Sequence, residues 1–428
     1  MFKGPNPQKV NGQLGGREKN TDKTFALIAG GVAVTDKVTL GQIIELLQAE
    51  DATAYGLDAA YDANHHVLVR YHIDEFFTYC PDGILFVMLV PQGTTLAGMC
   101  DAEGDNDPVG AGALMALMRS ETTRREIKTA GIVLNPASGY TPSLSDGIDN
   151  DVLNAIPAAQ ACIEALKQQF IYLDAVIIEG REFGATIASA KDLTTLSGPN
   201  VSVVIAADPV IQSLDALYAK YAAVGTALGN LSIRKVNECL GSVDILKKPD
   251  AKKANTNYSI TNTAKGRWLK ASLSSGVKFE ALTLNDQKAL TDKGYIYAGS
   301  YSGYSGVFFN ESPTCTDPTD DYCAIERNRT WNKAARYLRE ALVPKMKSTY
   351  KKDPSTGYPK PSVVAAWEQI AKKKLELMVI DEEVSGIDVY IDPEQAPSKT
   401  VPLTVNCQVV IDGILYEINI PIGLANSI

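Results

Sequence analysis

Few residues in this sequence have a type and spacing suited to catalysis or metal binding. The three histidines, His65, His66 and His72, fall within eight residues, and no carboxylate spacing near them supports a metal site. The turn at 299–303 superficially resembles one that presents a catalytic serine, but Tyr301 stands where the serine is required. The alternating acidic residues of 101–107 lack the distal glutamate of a calcium loop, so we interpret them as an acidic loop in solvent.

Motifs for nucleotide and metal chemistry are also missing. The sequence has no Walker motif, no His-Glu-x-x-His, no Cys-x-x-Cys pair and no dinucleotide fingerprint. Gly110-Ala-Gly112 could cradle a phosphate at a helix start, but no catalytic lysine accompanies it. We therefore predict a protein that is not an enzyme, with no catalytic residues, metal or cofactor. The alternative that stays open is a cytoplasmic α/β enzyme or binding protein with an unidentified small-molecule site.

The composition is that of a globular protein large enough for two or three domains. Of its 428 residues 45% are hydrophobic and 21% are charged, and the formal net charge is −9. The acidic balance argues against nucleic acid as the main partner. No apolar run reaches the roughly 18 residues of a membrane helix, and the N-terminal residues contain no hydrophobic segment. We therefore expect neither membrane insertion nor a secretory signal.

The cysteines are scattered along the chain. There are seven, and an odd number of scattered cysteines is typical of a protein that is assembled in the cytoplasm, where thiols stay reduced. Cys315 and Cys323 are close enough in sequence to bridge across a loop, and the sequence leaves that pairing open.

A helix rich in basic residues is predicted in 322–346. At 3.6 residues per turn its apolar residues share one face: Trp331, Ala334, Ala335, Leu338, Ala341 and Leu342. Arg329, Lys333 and Arg336 fall on the opposite face, and we name these three the basic ridge. If the apolar face packs against its own domain, the basic ridge points outward and suggests a charged partner. A solvated helix face explains the same charges equally well.

Residues 24–246 show short apolar strands alternating with amphipathic helices. The predicted strands are 24–34, 84–90, 131–135, 175–179 and 201–206. The predicted helices are 38–47, 110–119, 152–170 and 191–196, with 67–79 as a helix or a strand followed by a helix and a further helix start at Asp208-Pro209. This alternation predicts an α/β domain with a largely parallel sheet.

The pattern changes near residue 246 to a mixture that predicts an α+β domain. A lysine-rich loop over 247–263 precedes predicted strands 295–298 and 306–310, helices 322–343 and 361–380, and strand 389–391. At the end, 401–411 and 414–420 flank Asp412-Gly413, a strong hairpin signal. We therefore predict four parts: a polar N-terminal arm over 1–23, an α/β domain over 24–246, an α+β core over 247–398 and a C-terminal β arm over 399–428.

Four features follow one another in the second half of the sequence. They are the segment AVGTALGNLSIRKVNECLGSV at 223–243, the segment GYIYAGSYSGYSGVFFNE at 294–311, the Asp-Tyr-x-x-Ile-x-Arg-x-Arg run that starts at Asp321 and ends in Leu-x-Pro, and the β-rich terminus beyond the acidic step 381–386. In these features and their order, residues 224–420 resemble the sheath proteins of contractile phage tails and related injection systems, chiefly through the third feature. Residues 24–223 resemble the α/β part of these proteins only in their alternation of strands and helices.

The resemblance implies a structural subunit that stacks in six-membered rings around a tail tube and contracts to drive the tube through a target envelope. The implied partners are further copies of the chain, the tube protein, and the baseplate and tail terminator proteins. The implied location is the virion tail, assembled in the bacterial host cytoplasm. The basic ridge, Arg329, Lys333 and Arg336, becomes the candidate for the face toward the tube. The terminal arms would add strands to neighbouring copies, through these C-terminal residues: Val401, Leu403, Val405, Val409, Ile411, Ile414, Tyr416 and Ile418.

Overall fold

A computed structural model describes residues 21–123, 126–184, 186–245 and 257–424 of the chain. The β-strands in these residues are β1 Thr24–Gly31, β2 Ile43–Leu46, β3 Ile84–Pro91, β4 Thr129–Val133, β5 Leu144–Ser145, β6 Ile148–Asp149, β7 Ala175–Glu179, β8 Val201–Val204, β9 Ala206–Ala207, β10 Ser272–Leu273, β11 Tyr295–Ile296, β12 Ala298–Gly299, β13 Phe308–Phe309, β14 Gly386–Tyr390 and β15 Asn406–Val410. The α-helices are α1 Asp51–Ala54, α2 Ala59–His65, α3 Val69–Tyr79, α4 Leu96–Met99, α5 Ala113–Arg119, α6 Asn150–Gln168, α7 Pro209–Gln212, α8 Val224–Ile233, α9 Leu284–Asp292, α10 Ile325–Leu342 and α11 Pro361–Ile380.

A seven-stranded sheet forms the centre of the fold, in the order β11-β8-β7-β4-β1-β3-β2. All its neighbours pair in parallel except β2, which runs antiparallel to β3. Every residue of β1, β4, β7 and β8 is buried, as expected for parallel strands covered on both faces. The predicted α/β fold with a largely parallel sheet is confirmed.

The sheet separates two apolar cores because side chains alternate across it. Phe25 and Leu27 of β1 belong to the core that includes residues of α3 and α8, and Ile28 belongs to the core that includes residues of α5 and α6. On the first face, α3 and α8 pack at close range. A Cβ at Gly225 would lie 2.4 Å from the backbone oxygen of His72, so only glycine allows this approach.

We name the seven-stranded sheet, together with the helices and loops that cover its two faces, the body. Two of its features differ from the sequence predictions. The helix predicted over 38–47 is wrong, since Ile43–Leu46 forms β2, in which Ile44 and Leu46 alternate inward against β3. The domain border predicted at 246 does not separate two folding units either. The sheet takes its edge strand β11 from Tyr295–Ile296, so chain on both sides of residue 246 builds one body. The lysine-rich loop predicted over 247–263 lies largely outside the described residues.

The C-terminal part consists of α10, α11 and the two-stranded antiparallel sheet β14–β15. Both predicted long helices are present, and Pro361 occupies the first turn of α11, where its missing N–H is harmless. A small core joins these elements through Ala334, Ala371, Leu375, Met378, Val384 and Val389. None of the described helices is long and apolar enough to cross a membrane.

Candidate functional site

Helix α10 faces the body with its basic side. Arg329 is 1% exposed and Lys333 is 5% exposed, whereas Trp331 is 38% exposed. The predicted outward orientation of the basic ridge is therefore wrong, and Trp331 does not lie in the core. The ring of Trp331 instead meets Tyr172 and Tyr322 edge to face at the surface, with the Lys167 ammonium 4.3 Å above it.

Acidic side chains from the body and from the segment before β14 explain this orientation. The Lys333 Nζ atom lies 2.6 Å from Asp22 Oδ2 and 2.6 Å from Glu383 Oε1. Arg336 Nη1 lies 3.0 Å from Asp174 Oδ1. We name Asp22, Asp174, Lys333, Arg336 and Glu383 the ion cluster. Because Lys333 and Arg336 have carboxylate partners, the helix can turn this charged face toward the body.

The position of the ion cluster follows from the sheet. Asp22 lies in the turn before β1, and Asp174 directly precedes β7. Since β1 and β7 both run parallel to β4, these two carboxylates lie at the edge where the parallel strands begin. Helix α10 crosses that edge, and Arg329 adds hydrogen bonds from its guanidinium to the carbonyl oxygens of Arg234 and Lys235.

The electrostatics of the ion cluster keep Asp22 charged. Burial by itself would raise the pKa of Asp22, but the nearby charges of Lys333 and Arg336 outweigh burial and lower it. Burial would lower the pKa of Lys333, yet Asp22 and Glu383 raise it. The pKa of Glu383 is raised by burial despite its contact with Lys333. Lys333 thus contacts both carboxylates at the same distance, and the surroundings favour the charged form of Asp22 more than that of Glu383.

Lys333 therefore ties three parts of the chain together. It joins the turn at the start of β1, its own helix, and the segment that leads into β14. The tube contact that the sequence suggested for Arg329, Lys333 and Arg336 stays a prediction. It would require these side chains to leave their present hydrogen bonds and ion pairs.

The described residues that follow α11 do not form the hairpin that the sequence predicted. Strand β15 pairs with β14, from Gly386 opposite Val410 to Tyr390 opposite Asn406. Residues 411–424 form no strand with any described residue, so the hairpin predicted around Asp412-Gly413 is wrong. The Asp412 carboxylate instead accepts hydrogen bonds from the Ser385 hydroxyl and, at 2.6 Å, from Asn237 Nδ2.

The residues predicted for strand exchange divide into two groups. Val405 and Val409 pack against the small C-terminal core, so their own chain already covers them in part, and Leu403 and Ile414 are also half-buried. The remaining residues are exposed: Val401, Ile411, Tyr416 and Ile418. Half of the residues predicted for strand exchange therefore have exposed side chains in the described chain.

An apolar segment without a described strand partner follows β15. Tyr416, Ile418, Ile420, Ile422 and Leu424 alternate with other residues, and all five are exposed, Ile422 by 86%. Such a period of two is the pattern of a strand that buries one face. We name residues 411–424 the C-terminal segment.

The other sequence candidates lie elsewhere and have structural roles. The buried His72 ring accepts a hydrogen bond from the backbone of Gly225, and His66 pairs with Asp215. In the described part of the chain no group of three or more His, Cys, Asp or Glu side chains is placed to hold a metal ion. Cys315 and Cys323 are both free thiols in the structure.

Chains of three solved assemblies share this fold. A chain of the anti-feeding prophage baseplate, 6-fold symmetrised, is 12% identical, with a TM-score of 0.56 over 95% of this chain and 94% of that one. The helical sheath of the anti-feeding prophage in its contracted state is 13% identical, with a TM-score of 0.56 over 100% and 99%. The sheath complex of an extracellular contractile injection system, PVC, in its contracted state is 9% identical, with a TM-score of 0.54 over 100% and 98%. The chain therefore shares the fold of these three solved chains.

Sequence comparison identifies the family. No curated protein matches the chain. Residues 2–313 match the family model described as DUF2586, N-terminal domain, and residues 321–428 match DUF2586, C-terminal domain. Residues 314–320 separate the two matches, and α10 lies within the second. The chain belongs to the DUF2586 family.

Proposed function

We propose that this protein is the subunit of a contractile sheath, which polymerises around a tail tube and shortens to drive the tube through a target envelope. The observation that carries the proposal is the C-terminal segment: an exposed, strand-patterned apolar run in a chain whose fold matches contracted sheath proteins over its whole length. In a dilute monomer such a segment would be an aggregation site. In an ordered polymer another copy covers it.

Strand addition is the physical route we propose for that cover. The sheet β14–β15 has two strands, so each strand has one edge that no described strand occupies. A two-stranded sheet is marginal by itself, and added strands bring main-chain hydrogen bonds and more apolar burial. The C-terminal segment of one copy and the N-terminal arm of another are the proposed additions. Residues 1–20 of that arm lie outside the described residues.

Contraction in this proposal uses no nucleotide. Subunits assembled in a metastable array rotate as nearly rigid bodies while the arms keep neighbours joined. The ion cluster suits this role because Lys333 holds the start of β1 and the lead into β14 on one helix. A pull on either arm then acts on the same rigid element. The proposed partners are further copies in six-membered rings, the tube, the baseplate and the tail terminator, in a tail assembled in the host cytoplasm.

Negative-stain electron microscopy tests the proposal. The full chain is expressed with and without its tube and baseplate proteins, and each sample is imaged over a range of concentrations. Hollow cylinders with a regular axial repeat are expected, at the latest when tubes are present. Particles that stay monomeric in every sample, combined with a thermal shift on addition of a small-molecule ligand, would favour the alternative of an α/β enzyme or binding protein.

A further inference from the structure

A cleft lies between the first turns of α10 and the start of the C-terminal segment. Its volume is about 240 Å³, and its polar lining comes from Asn237, Glu326, Arg327, Thr330 and Asp412. Tyr416 lines it from the C-terminal segment and also lines a neighbouring cleft of about 340 Å³, to which Glu326 belongs as well. We name the two together the arm cleft.

Two buried acceptor atoms in the arm cleft have no hydrogen bond. Glu326 is 3% exposed; its Oε2 accepts from the Ser312 hydroxyl at 2.6 Å, but its Oε1 has no partner. Asn237 Oδ1 is also buried without a partner. A rotated amide would not satisfy Asn237, since its Nδ2 donates to Asp412 Oδ2 and to the Glu382 carbonyl oxygen, which both require a donor. A buried acceptor without a hydrogen bond is destabilising, so a donor that entered here would be bound firmly.

Most of the charge around these acceptors is negative. Asp292, Glu311 and Glu326 line the larger part of the arm cleft, against the single cation Arg327. Burial, followed by the negative charges of Glu326 and Asp292, raises the pKa of Glu311. The Arg327 guanidinium has one long hydrogen bond, 3.5 Å from its Nη1 to the Asp320 carbonyl oxygen. A ligand with several N–H donors and a positive charge fits this lining.

We propose that the arm cleft binds a lysine or arginine side chain from the N-terminal arm, residues 1–20, of a second copy of this chain. This inference rests on the proposed function, because it assumes that copies meet through their arms. Residues 1–20 contain Lys3, Lys9, Arg17 and Lys19 against one acidic residue, Glu18. The arm is therefore basic, although the chain as a whole is acidic.

Length and position also favour this occupant. Twenty extended residues span up to about 65 Å, which is enough to leave one subunit and reach the next. The arm cleft directly adjoins the exposed C-terminal segment through Tyr416. A neighbour's arm that lies along this segment would cover its apolar residues and place a basic side chain against Glu326 and Asn237 at the same time.

A peptide titration tests the inference. A fluorescent peptide of residues 1–20 is titrated with the full chain at concentrations where light scattering shows monomers, and binding is followed by anisotropy. We expect saturable binding that weakens with added salt. A peptide with its four basic residues changed to Gln should not bind, and this control does not depend on the folding of a protein variant. No binding of the native peptide, or equal binding of both peptides, would overturn the inference.

Protein variants locate the site. Glu326→Gln keeps the size of the side chain and an oxygen for Ser312, and it should weaken peptide binding about tenfold. The matched control, Glu103→Gln, removes a carboxylate from the exposed acidic loop of 101–107 and should leave binding unchanged. Circular dichroism of both variants checks the fold. Equal affinities for the two variants would contradict the inference.

The two proposals fail separately. Regular cylinders from a chain that does not bind the peptide would overturn the arm cleft and support the sheath subunit. Specific peptide binding by a chain that forms no cylinders under any condition would support the arm cleft and overturn the sheath subunit.

Discussion

The body and the C-terminal part of this protein bury their apolar residues to very different extents. In the body, all eight residues of β1 are buried and both faces of the sheet are covered. In the C-terminal part the core contains six buried residues, and β15 alternates exposed and half-buried side chains. The C-terminal segment then leaves Leu424 fully exposed. The body thus buries its apolar residues within its own fold, and the exposed residues of the C-terminal part support the proposal that another copy covers them.

Helix α10 connects these two regions. Lys333 and Arg336 on its basic face belong to the ion cluster at the edge of the sheet. Ala334 belongs to the small core that α10 shares with α11 and the sheet β14–β15. Paired charges therefore help to fix the C-terminal part to the body, together with Ile325, which lies in one of the body's apolar cores. The following predictions test that contrast.

The largest expected effect concerns the C-terminal segment. The double change Ile418→Lys and Ile420→Lys should abolish cylinder formation in electron micrographs, because two charges would replace the apolar face that another copy covers. The free energy of unfolding of the monomer should change by less than about 0.5 kcal/mol, since both side chains are exposed. The matched control, Glu417→Lys with Asn419→Lys, changes the alternate positions and should assemble. Cylinders from the first variant would contradict the contrast.

A large loss of stability is expected when the ion cluster loses its central cation. Lys333→Met should lower the free energy of unfolding by about 3–5 kcal/mol, because Glu383 would lose its ion-pair partner and Asp22 would lose its shortest ion-pair contact and keep Arg336 at 3.7 Å. Urea denaturation measures this loss. Lys345→Met, at an exposed position, is the control and should cost less than about 0.5 kcal/mol. A loss below 1 kcal/mol at Lys333 would mean that α10 is not held by the cluster.

A cavity in the small core should affect the C-terminal part alone. Leu375 is fully buried in α11, so Leu375→Ala should cost about 2–4 kcal/mol in that part. Hydrogen exchange should quicken in α11, β14 and β15 while β1 and β3 keep their protection. Equal loosening of β1 would show that the two regions unfold as one unit.

The smallest effect distinguishes the observed orientation of α10 from the predicted one. Trp331→Ala should cost about 1–2 kcal/mol, because the exposed ring loses its edge contacts with Tyr172 and Tyr322 and its contact with Lys167. A core tryptophan would cost about 3–5 kcal/mol on the same change. Thermal or urea denaturation decides between the two values.

The sequence predicts the body well because its signals are local. The apolar runs that form β3, β7 and β8 are bounded by turn residues, and a continuous run of that length is typical of a buried parallel strand. Helix α11 is also predicted with its observed ends, from Pro361 at its start. In these elements the residues that decide the structure are close neighbours in the chain.

The orientation of α10 could not be predicted, because the residues that decide it are distant in the sequence. The partners that bury Lys333 and Arg336 lie far away in sequence, Asp22 at 311 residues and Asp174 at 162 residues. Helical periodicity shows two faces, but it does not show which face meets acidic partners. The prediction of a C-terminal hairpin was wrong for a similar reason. Asp412-Gly413 is a local turn signal, whereas β15 pairs with β14, from which the loop of 391–405 separates it.

Hydrogen exchange at the amides of 411–424 tests the central claim most directly, when measured by mass spectrometry in the dilute monomer and in assembled cylinders. The account predicts fast exchange in the monomer and strong protection in cylinders, because the segment gains its main-chain partners only from another copy. Protection that is already present in the monomer and unchanged on assembly would contradict it.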